Sequence, residues 1–226
     1  MTRALKLISD VLRLKLPPKA LAYGLFNRLS HSLRTGNRRF EFERLYLEDP
    51  DPWRYRTKAY ELEKYQRTLE CALAWRSASR RALEYGCSIG VFSQLVARHF
   101  DLVTAVDFSK EALEVAREYN YAEKNITFLR EDLMAIELDE RFDVIFCAEV
   151  LYYLDRQNSD LICCKLEDQL AIDGIIVSVT GEVENVNAPQ YFDGWDRILS
   201  LKFNRIFYNV VNEARPYQIS VYCRRS

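Results

Sequence analysis

From Arg80 onward, short apolar runs of β type alternate with stretches of helical period. No other feature limits the fold as much. The runs predict strands at 81–85, 102–106, 126–130, 143–148 and 174–180, and the intervening patterns predict helices at 90–99, 109–120 and 157–170. Strands linked through helices imply right-handed crossovers and a doubly wound parallel sheet. After ENVNAPQ a short helix near 192–200 is expected, then strands at 203–211 and 217–223 joined through NEARP. The expected architecture is α/β, a mostly parallel seven-stranded sheet closed by a C-terminal antiparallel hairpin.

The part before Arg80 is different in kind. Residues 1–40 carry nine Lys/Arg and a single acid, Asp10, so they hold a charge of +8 while residues 41–226 hold −9. Within RALKLISDVLRLK (3–15) the apolar residues fall on one half of a helical wheel and the polar ones on the other. Pro17 and Pro18 end this helix, a second is expected over about 19–34, EDPDPW (48–53) is a turn-rich break, and 57–75 reads as a long helix. The expected division is a basic amphipathic helical extension (1–48), an N-terminal lid with its helix (49–79) and a main domain (80–226). The basic extension either packs on its own domain or touches an anionic membrane surface or a lipid-linked substrate. No apolar run approaches the roughly 18 residues of a membrane span, and the N-terminus lacks the apolar core of a signal peptide. Six cysteines without a C-x-x-C pair suit free thiols in a cytoplasmic setting. The two histidines, His31 and His99, neighbour no cysteine, so no metal site is expected.

The first strand leads into LEYGCSIGVFSQL (83–95), where two of the seven glycines sit in one strand-to-helix turn. Glycine there permits a left-handed backbone or close approach of a ligand, and this is the crevice where doubly wound sheets bind ligands. Each of four strands is followed by a polar residue at its carboxyl end. Asp107, 17 residues after Gly90, either accepts hydrogen bonds from two ribose hydroxyls or caps the next helix, with Ser109 a competing cap. Asp132 either meets an adenine amine or caps a turn. Glu149 follows the fourth strand.

The stretches ALEYGCSIGVFS, AVDFSKEALEVAR, FLREDL and RFDVIFCAEVLYYL resemble the successive motifs of class I S-adenosylmethionine-dependent methyltransferases, with Ser88 in place of the middle glycine of the first motif. With the upstream DPDPWRYRTKAYELEKYQRTLE, the chain resembles the nodulation-type N-methyltransferases, the NodS-like group, over about residues 45–180. The resemblance implies a Rossmann-like class I methyltransferase fold and S-adenosyl-L-methionine as cofactor. It implies that the turn formed by Gly86, Cys87, Ser88 and Gly90 lines the methionine part through backbone. Glu84 would organise that turn, Asp107 would hold the ribose, Phe108 would pack on the adenine, and Asp132 and Leu133 would meet its edge. Glu149 would face the transfer site. Trp53, Arg56 and Tyr60 would sit on the lid, where an arginine can pair with the cofactor's carboxylate.

Methyl transfer needs alignment and exclusion of water, and an amine must be neutral to attack. Glu149 and Tyr152 are the candidate catalytic residues, with Tyr153 as an alternative to Tyr152; one of the two tyrosines is expected in the core. His99 reads as a surface or capping residue, which tilts the reading from O- to N-methylation of a small polar acceptor such as an amino sugar. Glu182, Tyr191, Asp193 and Trp195 are candidates for an acceptor wall or an ordinary polar connection. Nucleic acid is disfavoured as a partner by the −9 charge of residues 41–226. A dinucleotide oxidoreductase is disfavoured by the G-x-x-x-G spacing. A non-catalytic binding module on the same fold remains a competing class; oligomeric state is not legible.

Overall fold

The structure is a computed structural model that describes residues 38–76, 80–154, 156–181, 189–211 and 215–225. The helices expected at 3–15 and 19–34 lie outside the described residues. Helix α1 (Arg38–Glu48), which the sequence reading did not single out, is followed by α2 (Ala59–Trp75), then β1 (Arg81–Tyr85), α3 (Val91–Ala97), β2 (Leu102–Asp107), α4 (Lys110–Tyr119), β3 (Ile126–Arg130), β4 (Phe142–Ala148), α5 (Ser159–Gln169), β5 (Leu170–Gly181), α6 (Pro189–Lys202), β6 (Phe203–Val211) and β7 (Tyr217–Arg224).

The seven strands form one sheet of order β3-β2-β1-β4-β5-β7-β6. The first five pair in parallel; β7 runs antiparallel to both β5 and β6. Alternation along the strands divides the core in two. Leu83, Tyr85, Ile145, Cys147 and Ile176 face one layer, which α5 and α6 cover. Ala82, Val144, Phe146, Val177 and Val179 face the other, which Leu69 and Ala72 of α2 and Phe92 and Val96 of α3 cover. Each fully buried Leu, Ile or Phe contributes roughly 1.5–3 kcal/mol; β4 carries such residues on both faces, as central parallel strands do, while β1 sets Leu83 and Tyr85 on one face and Ala82 and Glu84 on the other.

The β5 strand begins at Leu170, four residues before the expected start, because its register against β4 shifts between the Phe142–Leu170 and Val144–Ile175 pairs. That irregularity absorbs Ala171 to Gly174 as a bulge. A 3-10 turn, Leu151–Tyr153, stands between β4 and α5. Strand order reverses between β1 and β4, so the carboxyl ends of β1, β2, β4 and β5 surround one crevice. Among the described residues no helix is long and apolar enough to cross a membrane.

Candidate cofactor and acceptor site

The loop leaving β1 is built from alternating left-handed residues: φ is 73° at Gly86, 50° at Ser88 and 73° at Gly90. The amides of Gly86 and Cys87 both donate to the Val106 carbonyl, at 2.8 and 3.0 Å, and Gly90 N donates to Cys87 O. A Cβ on Gly90 would fall 2.6 Å from Asn120 Nδ2, and that nitrogen donates to the Gly90 carbonyl at 3.1 Å. The loop is thus pinned to β2 and α4, and Cys87 is buried beneath it. Ser88 holds a conformation that costs a non-glycine residue on the order of 1 kcal/mol. Two contacts offset that cost. Its amide donates to Asp107 Oδ2 at 2.9 Å, and its hydroxyl lies 2.5 Å from Tyr46 Oη of α1.

Asp107 is buried at the end of β2, and its Oδ1 accepts the Ser109 amide at 2.9 Å. Burial pushes its carboxyl up to about 6 against the pull of the Ser109, Ser88 and Phe108 amides. A carboxylate accepts along about four lone-pair directions, which these amides do not exhaust. The capping task that competed for Asp107 falls to Ser109, whose hydroxyl accepts the Ala112 amide at 3.1 Å. Glu84 stands buried on β1; its Oε2 accepts the Ser93 hydroxyl at 2.5 Å, and burial raises its carboxyl to about 7.

Helix α1 closes over this region. Glu43 accepts the Ser109 hydroxyl at 2.7 Å and the Lys110 amide at 3.1 Å, so a side chain of α1 caps α4. Phe42 meets Phe108 edge-on at 5.7 Å and Tyr153 edge-on at 5.3 Å, and lies 5.8 Å from Trp53. Phe108, Trp53 and Tyr153 therefore belong to one aromatic cluster with Phe42 at its centre. Asp132 caps the turn after β3 through the Met134 amide at 2.6 Å, and Leu133 is buried in the α5 layer. Arg56 is exposed, its guanidinium 5.0 Å from the centre of the Tyr119 ring.

Beyond β4 the second group assembles around Glu149, which is itself left-handed with φ 58°. Its amide donates to Val179 O at 2.8 Å. Its Oε1 receives Lys64 Nζ of α2 at 2.7 Å, and its Oε2 receives the Tyr152 hydroxyl at 2.8 Å. Lys64 also pairs with Glu61 at 2.9 Å, and Arg215 stands 3.9 Å from Glu61. Burial alone would raise the Glu149 carboxyl, but the Lys64 ammonium, the Tyr152 hydroxyl and the Gly181 amide bring it below the ordinary value. Lys64 is raised in turn, Glu149 and Glu61 outweighing burial. The Tyr60 ring lies under both cations, 5.2 Å from Lys64 and 4.5 Å from Arg215, and burial raises its phenol to about 12.

The structure thus gathers Gly86, Cys87, Ser88, Gly90 and Asp107 into one loop cluster and Glu149, Tyr152 and Tyr60 into another. Trp195 is a core residue at 3% exposure, buried because it lies on the inner face of α6, and not part of an acceptor wall. Glu182 and the side chains of Tyr191 and Asp193 lie outside the described residues, as does His31; His99 is exposed. Phe42, Glu43, Tyr46, Glu61, Lys64 and Arg215 escaped the sequence reading. Tyr60, Glu61 and Lys64 recur at helical spacing on one face of α2, which is the one signal that points to the second group.

The sheet order and the strand-end crevice define the class: a Rossmann-like fold of the class I methyltransferase type. The chain is 22% identical to the crystal structure of the N-methyltransferase NodS from Bradyrhizobium japonicum WM9 in complex with S-adenosyl-l-homocysteine, with a TM-score of 0.73 over 83% of this chain and 99% of that one. Residues 37–178 match the Nodulation protein S (NodS) family, and the chain belongs to that family. It is 34% identical to a Nodulation protein S of Rhizobium tropici over 152 residues, 67% of this chain and 63% of the relative. Against a Nodulation protein S of Bradyrhizobium diazoefficiens it is 36% identical over 104 residues, 46% of this chain and 49% of the relative. The chain thus spans about half to 63% of the length of these curated relatives.

Proposed function

We propose that this protein is an S-adenosylmethionine-dependent methyltransferase that methylates an amine on a small polar molecule such as an amino sugar or a glycoconjugate. The observation that carries the reading is the Asp107 carboxylate, buried between the Ser88 and Ser109 amides at the edge of a left-handed loop. Its remaining lone-pair directions suit the paired hydroxyls of a ribose, so the residues present fit the cofactor. Gly86 to Gly90 would line its methionine part with backbone that carries little side-chain bulk, and Glu84 would hold that loop from below. Phe108 would supply the adenine surface, with Asp132 and Leu133 at its edge. Trp53, Arg56 and Tyr60 belong to the lid side, together with α1. S-adenosylmethionine, when bound, supplies an electrophilic methyl group.

The acceptor side consists of Tyr152 and Glu149. Glu149 is held ionised and hydrogen-bonded through both oxygens, which makes it a poor proton acceptor and a good electrostatic anchor. An alcohol would need a strong base to attack; an amine with a near-neutral pKa loses its proton to water unaided. This favours N- over O-methylation. Labelled methyl transfer from S-adenosylmethionine to glucosamine oligomers, with N-acetylated oligomers as the comparison, tests the reading. Label is expected on the free amines alone; equal labelling of both sets refutes N-methylation, and label on neither refutes an amino-sugar acceptor.

The +8 charge of residues 1–40 supports contact with an anionic membrane or a lipid-linked substrate. Equal sedimentation with anionic liposomes by the full chain and by a chain lacking residues 1–40 contradicts that contact.

A further inference from the structure

Glu149 is fixed more thoroughly than a polar residue at the end of a strand requires. Its left-handed backbone is strained for a glutamate, and the strain is met by four restraints from three parts of the chain: β5, α2 and the 3-10 turn. Val179 O takes its amide at 2.8 Å. Lys64 Nζ donates to Oε1 at 2.7 Å, and the Tyr152 hydroxyl donates to Oε2 at 2.8 Å. Gly181 leaves the space: a Cβ there would stand 2.4 Å from Oε1. Lys64 is itself 5% exposed and lies on a helix that precedes the sheet in sequence. A surface ion pair would need none of this.

We propose that Lys64 is a positioning residue for the transfer reaction: it locks Glu149 so that Tyr152, donating to Glu149 Oε2, turns its oxygen lone pairs towards the N–H of the incoming amine. This rests on the methyltransferase reading. A phenol that has spent its proton on a fixed carboxylate can only accept from further partners; the Tyr153 hydroxyl, which also bonds Tyr152, takes one lone pair and leaves the second for the amine. Tyr152 therefore orients an amine by its N–H and leaves the nitrogen lone pair directed elsewhere, where a methyl group is to be met. The charges facing Glu149 balance: Lys64 and Arg215 against Glu149 and Glu61, with the phenols of Tyr60, Tyr65 and Tyr152 neutral around them. A balanced set gives an arriving ammonium no net attraction, so the site suits the neutral amine that can attack. Lys64 acts through Glu149 and does not itself touch the acceptor.

Lys64→Met, Glu149→Gln and the double variant test this. S-adenosylhomocysteine calorimetry first reports whether the cofactor reading holds; failure of the wild type to bind sinks that reading and this one with it, whereas binding by the wild type isolates Lys64. Difference infrared spectroscopy of each protein against its Glu149→Gln counterpart then reads the carboxyl directly and needs no acceptor. A protonated-carboxyl band near neutral pH is expected in Lys64→Met and not in wild type; no band in Lys64→Met overturns the proposal. With glucosamine oligomers, Lys64→Met is expected to lose about 100-fold in kcat, to have the acidic limb of its pH profile moved to higher pH than in wild type, and to be partly rescued in Lys64→Arg. In the Glu149→Gln background, where the buried charges no longer conflict and folding is spared, the same Lys64→Met change is expected to cost less than about 3-fold, since two residues acting as one unit are not additive. An equal loss in both backgrounds assigns Lys64 a role independent of Glu149 and overturns the proposal.

Discussion

Replacing Glu84 by glutamine removes a buried acid while keeping its shape and its bond from the Ser93 hydroxyl. Glu84 is 3% exposed and its carboxyl is raised from 4.5 to about 7 by burial, with Ser93 opposing and Asp107 adding to the rise. The folded chain therefore binds this proton more tightly than the unfolded chain does. Below about pH 4.5 both states hold it and Glu84 costs nothing. As pH rises towards about 7 the unfolded chain gives the proton up first and stability falls; above about 7 the full penalty stands. The gap from 4.5 to about 7, at about 1.36 kcal/mol per pH unit, sets that penalty at about 3 kcal/mol. Glutamine does not titrate, so Glu84→Gln is expected to gain on wild type by up to that amount between acid and mildly alkaline buffer. For a chain of this size that corresponds to roughly 6–12 °C in melting temperature. Melts of ligand-free protein followed by near-UV circular dichroism at about pH 4.5 and pH 8 measure the difference, and Asp107, which titrates in the same direction, cancels between the two proteins. The same variant is expected to bind S-adenosylhomocysteine more weakly, a trade of function for stability. A wild-type-to-variant gap that is the same at both pH values refutes the reasoning, because burial of a titrating acid cannot then be what Glu84 contributes.

Tyr46→Phe removes the partner of the Ser88 hydroxyl, and one such bond is worth about 0.5–1.5 kcal/mol; S-adenosylhomocysteine affinity is expected to fall roughly 2- to 10-fold by calorimetry. In Gly181→Ala the new methyl displaces Glu149 Oε1, which would lie 2.4 Å away. Turnover is expected to fall by about 10-fold or more with cofactor affinity nearly unchanged, and steady-state kinetics beside calorimetry separates the two effects. Asp107 is raised to about 6, and in the proposed site its ionised form would accept both ribose hydroxyls, so affinity for S-adenosylhomocysteine is expected to rise as pH passes upward through about 6; a flat profile counts against ribose binding by Asp107.

The strands were legible because central parallel strands are largely apolar on both faces: β4 reads as such without any knowledge of its neighbours, and in β1 the run Ala82 to Tyr85 is broken only by Glu84. The loop was legible because glycine at Gly86 and Gly90 answers a local demand, a left-handed φ beside packed neighbours. What escaped depends on contacts distant in sequence. Lys64 with Glu61 reads as an ordinary i,i+3 pair on a solvated helix face; only the fold brings Glu149, 85 residues away, against it. Glu43 and Tyr46 look like the polar residues of any helix until α1 is seated on Ser109 and Ser88. Trp195 misled because a tryptophan in a polar stretch suggests a binding wall, whereas α6 turns Trp195 into the core with Leu199, seats Asp196 on Ser220 and Tyr222 of β7, and leaves Arg197 exposed. The early start of β5 escaped because Ala171 to Gly174 break the strand pattern, so the run reads as beginning at 174, while the register shift that takes them up is set by pairing with β4.

The most direct test of the account is calorimetric titration of the protein with S-adenosylhomocysteine and, separately, with NADH, repeated on Asp107→Ala. Binding of S-adenosylhomocysteine alone, strongly weakened in Asp107→Ala, is the predicted result. Binding of NADH in its place, or of neither ligand, contradicts the claim that this loop and its buried aspartate form an S-adenosylmethionine site.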